Sequence, residues 1–478
     1  MYKRVLFCIP PFPNRYGLPT HPHTGIGYLC ESLNQQGIET AVVDFRLGDG
    51  YRKLKAALDK FKPDLAGVTM MSYYHNLAYE IVRYLKQSNI PVAIGGPHVS
   101  TVREQALIDS GADFGFMMES EISLVKLCRQ RPLNDIPGLL YRKNGQVLLN
   151  QPQLIEELNE VPYPRYRDFE LNSYTRRRIP IITSRGCPCQ CTFCPIVTVM
   201  GRKYRLRSAR NVFAEIEYWY KKGYRDFDFQ DDNFIVDRKR VFELCDMIKQ
   251  AGFNDLFVQC GNGLRADLAT RELLLKLKET GFKATAFGVE SADPEVLKKV
   301  KKGESIEQIE NAVKNALEVG LEVSLFFIVG LPGETAISFR KSIDFARRYP
   351  VTTATFYNLV PFPGTELFDW VKNNNYFLIQ PRDYLNTIAH LEFVPVFETP
   401  DFSQSERKSA LEAGAKLNIQ LKRRDMERKL GNTVLSKMVS WMVYESFFNK
   451  IIFAMLELKP LKQAMNFILL KLRIRFNL

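Results

Sequence analysis

Histidine is scarce in this chain: there are five in 478 residues. None lies between His98 and His390, so proton handling in that long central stretch falls to Asp, Glu, Tyr or water. Cysteine stops at Cys260, which leaves nothing beyond it to ligate a second metal cluster through sulfur. Compositional bias is missing too. With 46% hydrophobic and 25% charged residues, 28 Gly and 25 Pro, the chain is neither disordered, collagen-like nor low-complexity. Residues 1–10 form too short an apolar run for a secretory signal and read as a strand ended by Pro10 and Pro11. A cytoplasmic setting is therefore expected, with the nine cysteines serving as thiols or metal ligands rather than disulfides.

Acid is short relative to base, 53 residues against 66, for a formal net charge of +13. Over half of that excess sits at one end: Asp401 to Leu478 holds 15 basic and 7 acidic residues. This is a basic tail on an enzyme-like body, and no basic motif interleaves with aromatics on a known reader fold, so no nucleic-acid partner is expected. The length suits two to four domains with full cores.

Residues 1–130 alternate short apolar runs (5–9, 39–44, 65–69, 91–95, 113–117) with amphipathic stretches (27–35, 51–61, 76–86, 120–128). Strands alternating with helices specify a parallel, doubly wound α/β sheet, which binds ligands beyond its C-terminal strand ends. Residues 131–175 read as a linker carrying a hairpin around Asn144-Gly145. Between 176 and 400 the alternation resumes, with strands expected at 181–183, 226–229, 257–260, 284–288, 322–327 and 353–359. Six βα units suit a partial or complete (β/α) barrel with its site at the C-terminal strand ends. The tail, 401–478, reads as helical throughout.

The most informative segment is Cys187-Pro-Cys189-Gln-Cys191-Thr-Phe-Cys194, on the loop after the first barrel strand. Cys187, Cys191 and Cys194 have the spacing C-x3-C-x2-C. Three thiolates on one short loop can hold three irons of a [4Fe–4S] cube and leave the fourth iron open to a small molecule. Tetrahedral zinc is the competing metal, but Cys189, the one nearby candidate for a fourth ligand, is poorly placed to close such a site. Four unmodified buried thiols are out of place on a Gly/Pro-rich loop.

With Phe193 before the last cysteine, this loop resembles that of the radical S-adenosylmethionine (SAM) superfamily. The segments Gly201-Arg-Lys-Tyr-Arg-Leu-Arg-Ser208, Phe227-Asp-Phe-Gln-Asp-Asp-Asn-Phe234, Asn262-Gly-Leu-Arg-Ala-Asp267, Gly288-Val-Glu-Ser291, Gly330-Leu-Pro-Gly-Glu-Thr335 and Pro361-Phe-Pro-Gly-Thr-Glu366 follow in that family's order. The first domain, with Gly95-Gly-Pro-His98 and Glu119-Ser-Glu121, resembles the cobalamin (B12)-binding domain that precedes many such barrels. The resemblance covers about residues 1–400.

It implies the following. The open iron chelates SAM, one electron from the cluster cleaves the sulfonium, and the 5′-deoxyadenosyl radical takes a hydrogen from substrate. Cys187, Cys191 and Cys194 become the cluster ligands and Cys189 a bystander. Phe193, Asp231, Asp232, Glu290, Ser291 and Gly330 become SAM contacts. The blander readings are a helix cap for Asp232-Asn233, a barrel-rim hydrogen bond for Glu290 and Ser291, and a plain turn at Gly330. Arg205 and Arg207 either clamp an anion or are solvated at the surface. Thr69, Ser72, Gly95 and Gly96 are where a cobalamin tail would lie; the Asp-x-His-x-x-Gly cobalt-ligating motif is absent, so cobalamin would bind with no protein His below cobalt. The alternative is a first domain that binds no cofactor.

The reaction the resemblance favours is methyl transfer to an unactivated carbon, one SAM recharging methylcobalamin and a second making the radical. Oxidative cyclisation or rearrangement without methyl transfer is the alternative, and a cluster-bearing sensor or scaffold is the alternative of another class. An external electron donor of the flavodoxin or ferredoxin type is implied. The segment 439–458 is apolar on most sides, but Glu445 and Lys450 argue against a spanning helix. It either packs on the barrel or a dimer partner, or lies in the plane of the inner membrane face. A greasy, basic tail also suggests a lipid-like small-molecule substrate; failure to bind anionic liposomes would remove the membrane part of this expectation.

Overall fold

Residues 5–9 are buried without a break, as expected of a strand covered on both faces. In the computed structural model, which describes residues 1–11, 19–387 and 389–444, this strand is an inner strand of the first sheet. Its strands are β1 (Arg4–Ile9), β2 (Glu39–Asp44), β3 (Leu65–Thr69), β4 (Val92–Gly95), β5 (Phe114–Phe116), β6 (Leu139–Lys143) and β7 (Gln146–Leu149). They stand in the order β2-β1-β3-β4-β5-β6-β7, the first five parallel. Val5, Phe7 and Ile9 face helix Thr24–Asn34, while Leu6 and Cys8 share a second cluster with Val82 and Leu85 of helix His75–Gln87. Period-two alternation thus puts one helical layer on each face. The order reverses at β1, so the strand ends diverge there and open a crevice.

The hairpin does not belong to the linker. β6 pairs antiparallel with β5, Phe116 opposite Leu139, and β7 completes the edge. Asn144 (φ 52°) and Gly145 (φ 79°) are both left-handed, the geometry of a two-residue turn that matches strand twist.

The second sheet is formed by β8 (Arg178–Ile181), β11 (Asp226–Phe229), β12 (Phe257–Gln259), β13 (Phe282–Glu290), β14 (Glu322–Val329) and β15 (Thr353–Asn358), all parallel and adjacent in chain order. β9 (Ser184–Arg185) and β10 (Arg205–Leu206) form a separate antiparallel ribbon between β8 and β11. Six βα units that do not close make a partial barrel with a concave inner face. The first barrel strand sits three residues earlier than the sequence suggests. Asp231 takes the backbone N–H of Thr183 and the hydroxyls of Thr183 and Ser184, which pulls the chain out of the sheet after Ile181.

The two sheets share one apolar core. Tyr166, Phe169 and Tyr174 of the linker join helix Thr24–Asn34 to Trp219 and Ile216 behind the barrel. Gly27 is required here: a Cβ on it would stand 2.3 Å from the Tyr166 ring. Helix Gln404–Lys429 starts at a capping box of Ser403 and Glu406 and lies along β15, where a Cβ at Gly414 would meet Phe356 at 2.5 Å. A further helix spans Val434–Tyr444. The tail is helical where described, and residues 445–478, with most of the apolar 439–458 segment, lie outside the described residues. No helix among the described residues is long and apolar enough to cross a membrane.

Candidate active site

Two cavities flank the segment between β8 and the cysteines. The first, of about 260 Å³, lies in the crevice at the C-terminal ends of β1, β3 and β4. Thr69, Gly95 and Gly96 line it, as the sequence suggests, together with Gly67, Ile26 and Leu29. Its far wall comes from the barrel side: Ile182, Arg185, Val199 and Met200. A Cβ at Gly96 would stand 2.8 Å from the Met70 carbonyl, so the backbone there must be bare, whereas Gly95 faces open space, with nothing nearer than 3.8 Å. Ser72 is the exception. It is not on the wall; its hydroxyl meets His98 Nδ1 at 3.3 Å and its carbonyl meets His75 Nδ1 at 2.8 Å.

Two histidines make the stability of this domain depend on pH. His23 caps helix Thr24–Asn34, its Nδ1 accepting from the Ile26 N–H. His98 stacks on His75 at 4.3 Å and bonds Tyr79 Oη at 2.9 Å. Burial is the main cause that pushes each ring down to about 3 from 6.5. Unfolding exposes the rings, which then take up protons below pH 6.5, so the unfolded state binds more protons between pH 6.5 and about 3. Stability is therefore expected to fall with pH through that window, by roughly 2 kcal/mol per ring at pH 5. Urea titrations at neutral pH and at pH 5 check it, and H23Q should lose its share of the slope.

A cluster of buried charges joins the first domain to the barrel at this cavity. Arg185 of β9 donates to Glu119 at 2.8 Å and to Glu121 at 2.6 Å, and lies 5.0 Å from the Tyr28 ring centre. Arg205 of β10 donates to the other Glu119 oxygen at 2.5 Å. The expected alternatives for Arg205 and Arg207, anion clamp or solvated surface, are both corrected. Arg205 is 4% exposed and Arg207 2%, and Arg207 is spent on Glu215, Asn211 and the Ile182 carbonyl. Neither reaches a cavity, because ion pairs with Glu119 and Glu215 satisfy them in the core.

The second cavity, of about 380 Å³, opens at the C-terminal ends of the barrel strands. Cys187, Cys189, Cys191, Phe193 and Cys194 form one wall, and all four cysteines are partly exposed on it. The loop is held rigid from several sides. Gly186 (φ 84°) passes so close to the Lys203 carbonyl that a Cβ would stand 2.3 Å from it, and its N–H donates to Asp232 at 2.9 Å. The Cys187 N–H donates to the Gly201 carbonyl at 3.3 Å, and the Thr192 N–H to the Val300 carbonyl at 3.1 Å. Among the described residues no three ligating side chains close on one metal-ion position. Three separate sulfurs on one cavity wall suit a cube, which takes one thiolate per iron.

Of the residues expected to meet SAM, Phe193, Asp232 and Glu290 line this cavity. Asp232 does not cap the next helix, whose N-cap is Asp237. Burial, with Asp231 adding to it, pushes the Asp232 carboxyl up to about 6 against the pull of the Gly186 N–H. Glu290 sits at a bulge in β13 with φ 61°, a left-handed backbone that costs energy and turns its carboxylate to Lys302 at 2.9 Å. Three expectations are corrected. Asp231 turns away from the cavity to bind Thr183 and Ser184. Ser291 is fully buried, and its hydroxyl accepts from the Asp293 N–H ahead of a helix. The Gly330 N–H is taken by buried Glu334 at 2.6 Å, and the space a Cβ would need is filled by Arg407 at 2.5 Å.

The sequence reading missed Asn233, Lys302 and Arg265. Asn233 is 2% exposed, lines the cavity, and neither polar atom of its side chain has a partner. Such a group is costly unless a ligand satisfies it. Lys302 bridges Glu290 and Glu304, which outweigh its burial and hold it charged. Arg265 donates to Cys189 Sγ at 2.9 Å, which ties that thiol to the rim. Position next to the Asp-Asp pair was the one signal available for Asn233.

The description "Radical SAM superfamily" matches residues 181–346, and "B12 binding domain" matches 17–127. Together the two span more than half of the chain. The chain belongs to the B12-binding radical SAM enzymes. The cofactors of such an enzyme are a [4Fe–4S] cluster, SAM and cobalamin. The bare-backbone crevice of the first cavity and the three-thiol wall with orphaned Asn233 in the second fit those groups. This radical SAM enzyme is 29% identical over 422 residues to the uncharacterized methyltransferase PH0819 of Pyrococcus horikoshii, covering 85% of this chain and 91% of the relative. It is 26% identical to the cytidylyl-2-hydroxyethylphosphonate methyltransferase of Streptomyces wedmorensis, covering 77% and 81%. Its fold matches that of the radical SAM methyltransferase TsrM of Kitasatospora setae, solved with cobalamin and a [4Fe–4S] cluster, with a TM-score of 0.70 at 22% identity over 80% of this chain and 79% of that one.

Proposed function

We propose that this radical SAM enzyme transfers a methyl group from SAM to an unactivated carbon of a small molecule. The observation that carries this reading is the adjacency of the two cavities: Arg185 lies on the wall of one and Cys187, two residues on, on the wall of the other. When bound, the cluster supplies the electron that cleaves SAM and cobalamin supplies a carrier for the methyl group. In this reading Cys187, Cys191 and Cys194 hold the cluster from a loop pinned at Gly186, Cys187 and Thr192. Asp232 and Asn233 hold the polar end of SAM, and Glu290 with Lys302 holds a second polar edge. Phe193, Phe326, Leu359 and Val360 exclude water from the reacting centre. Thr69, Gly95 and Gly96 cradle the cobalamin tail. The first electron comes from an external donor of the flavodoxin or ferredoxin type. The two relatives bearing methyltransferase names favour methylation over cyclisation.

Anaerobic protein reconstituted with iron, sulfide and cobalamin is expected to hold about four irons and one cobalt per chain. With SAM and reductant it should release 5′-deoxyadenosine and S-adenosylhomocysteine together once substrate is present. Release of 5′-deoxyadenosine alone would replace methyl transfer with rearrangement.

A further inference from the structure

The first cavity does not stop at the strand ends but runs back into the core of the first domain. Its floor is the face of the sheet that turns toward helix Thr24–Asn34. The register sets Phe7, Gly67, Ala93 and Phe114 side by side across β1, β3, β4 and β5, and sets Gly95 beside Phe116 nearer the open end. Two small residues between two phenylalanines leave a trough in that face. Gly67 has to stay bare, because a Cβ there would stand 2.8 Å from the Phe7 ring. Ile26 and Leu29 roof the trough from helix Thr24–Asn34, and Leu124 roofs it from helix Glu121–Cys128. The result is a slot between a sheet and two helices, a shape that suits a flat ring.

The inner part of this slot is lined by hydrocarbon: Phe7, Ile26, Leu29, Ala93 and Leu124. The backbone groups of its walls are paired within the sheet and the helices. Polar side chains stand at the open end, and most are already engaged. Arg185 is held by Glu119 and Glu121, His23 caps its helix, and the Ser120 hydroxyl meets the Met118 carbonyl at 3.4 Å. The second cavity is the contrast. Asn233 lines it with two orphaned polar atoms, whereas among the described residues no orphaned polar side chain lines the first. The slot therefore has room for a ring and no hydrogen bond to offer it.

We propose that this slot takes the base of the cofactor's nucleotide tail and selects that base by polarity: an alkylated benzimidazole enters and a purine is refused. The inference rests on the reading that Thr69, Gly95 and Gly96 cradle the cobalamin tail. Dimethylbenzimidazole turns two methyl groups and a hydrocarbon edge outward, and these gain by leaving water for Ile26, Leu29 and Leu124. Adenine has a similar flat shape but carries an amino group and ring nitrogens along those edges. In the slot each of them loses its water and finds no partner, which weakens binding by about tenfold or more. The selectivity comes from what the slot lacks, so it needs no residue that recognises the benzimidazole.

The test is equilibrium dialysis of the anaerobic, cluster-loaded protein against a panel of corrinoids, read by their visible absorbance. The panel is cobalamin, the adenine-bearing cobamide, the p-cresol-bearing cobamide and cobinamide, which has no nucleotide tail. Cobalamin is expected to bind about tenfold or more tightly than the adenine cobamide. The p-cresol cobamide, whose base is apolar but cannot ligate cobalt, should bind like cobalamin, and cobinamide more weakly than either. L29N, which puts an amide on the roof of the slot, should weaken cobalamin and narrow its lead over the adenine cobamide. Iron content and the far-UV spectrum verify that L29N is folded and loaded, and the comparison on wild-type protein needs no variant. Cobalamin tighter than cobinamide but equal to the adenine cobamide would keep the tail in the cavity and overturn the selectivity. Cobinamide as tight as cobalamin would remove the tail from the cavity, and the reading with it.

Discussion

C191A should abolish 5′-deoxyadenosine formation and lower iron from about four per chain to well below one. Each thiolate of a cube serves a different iron, so removing one leaves the cluster held at two corners and open to solvent. Cys191 is the middle of the three, on a wall where it is only partly buried. Its loss therefore creates little cavity in the core, and thermal stability of the apoprotein should shift by less than about 1 kcal/mol. The informative control is C189A. Cys189 sits on the same wall but its sulfur is bound by Arg265, and that variant should keep its iron. Retention of iron by C191A, or its loss from C189A, would reassign the ligand set and would bring zinc-like four-thiol coordination back into play. Iron analysis and low-temperature EPR of the reduced protein decide between them.

The second large effect is expected at Glu119, on the wall of the first cavity. Its side chain is 1% exposed and accepts from Arg185, Arg205 and the Ile155 backbone. E119A would leave the buried Arg205 without its counter-charge and Arg185 with Glu121 alone, which costs about 3–5 kcal/mol. That is a large part of a typical domain's total stability and corresponds to a drop of roughly 10 °C or more in Tm. Because Glu119 and Arg185 both line the first cavity, the variant should also lose cobalamin before it loses iron. E156Q is the matched control. Its ion pair with Lys203 is more than half exposed on both sides, and its removal should cost no more than about 1 kcal/mol. Equal melting temperatures for the two variants would show that the buried network does not hold the domains together.

Much of this was legible without coordinates. The alternation of apolar runs and amphipathic stretches placed the parallel strands of both sheets to within a few residues, because burial on two faces demands continuous apolar runs. The spacing of Cys187, Cys191 and Cys194 placed a candidate cluster loop, since ligands on one short loop must be close in space whatever the fold around them. Thr69, Gly95 and Gly96 were legible as strand ends at the reversal of strand order. The hairpin turn was legible from Asn144-Gly145, but not its partner: whether a hairpin hangs free or extends a sheet depends on an edge strand, β5, that lies over twenty residues away.

What the tertiary structure alone decided is the direction of polar side chains. Asp231 and Asp232 are neighbours, yet one is locked into the end of β8 and the other opens on the cavity. Arg205 and Arg207 look like surface charge until Glu119 and Glu215, 86 and 8 residues away, are brought against them in the core. Ser291 and Gly330 read as ligand contacts by position, but long-range and local backbone demands had already claimed them. Gln230 and His21 have no neighbour in the chain that marks them, and meet only because the first domain sets its loop against the end of β11. A sequence fixes periodicity and local spacing, which are short-range properties of the backbone. Which polar group is free to bind a ligand depends on which others have been satisfied first, and that accounting closes only when distant segments are packed together.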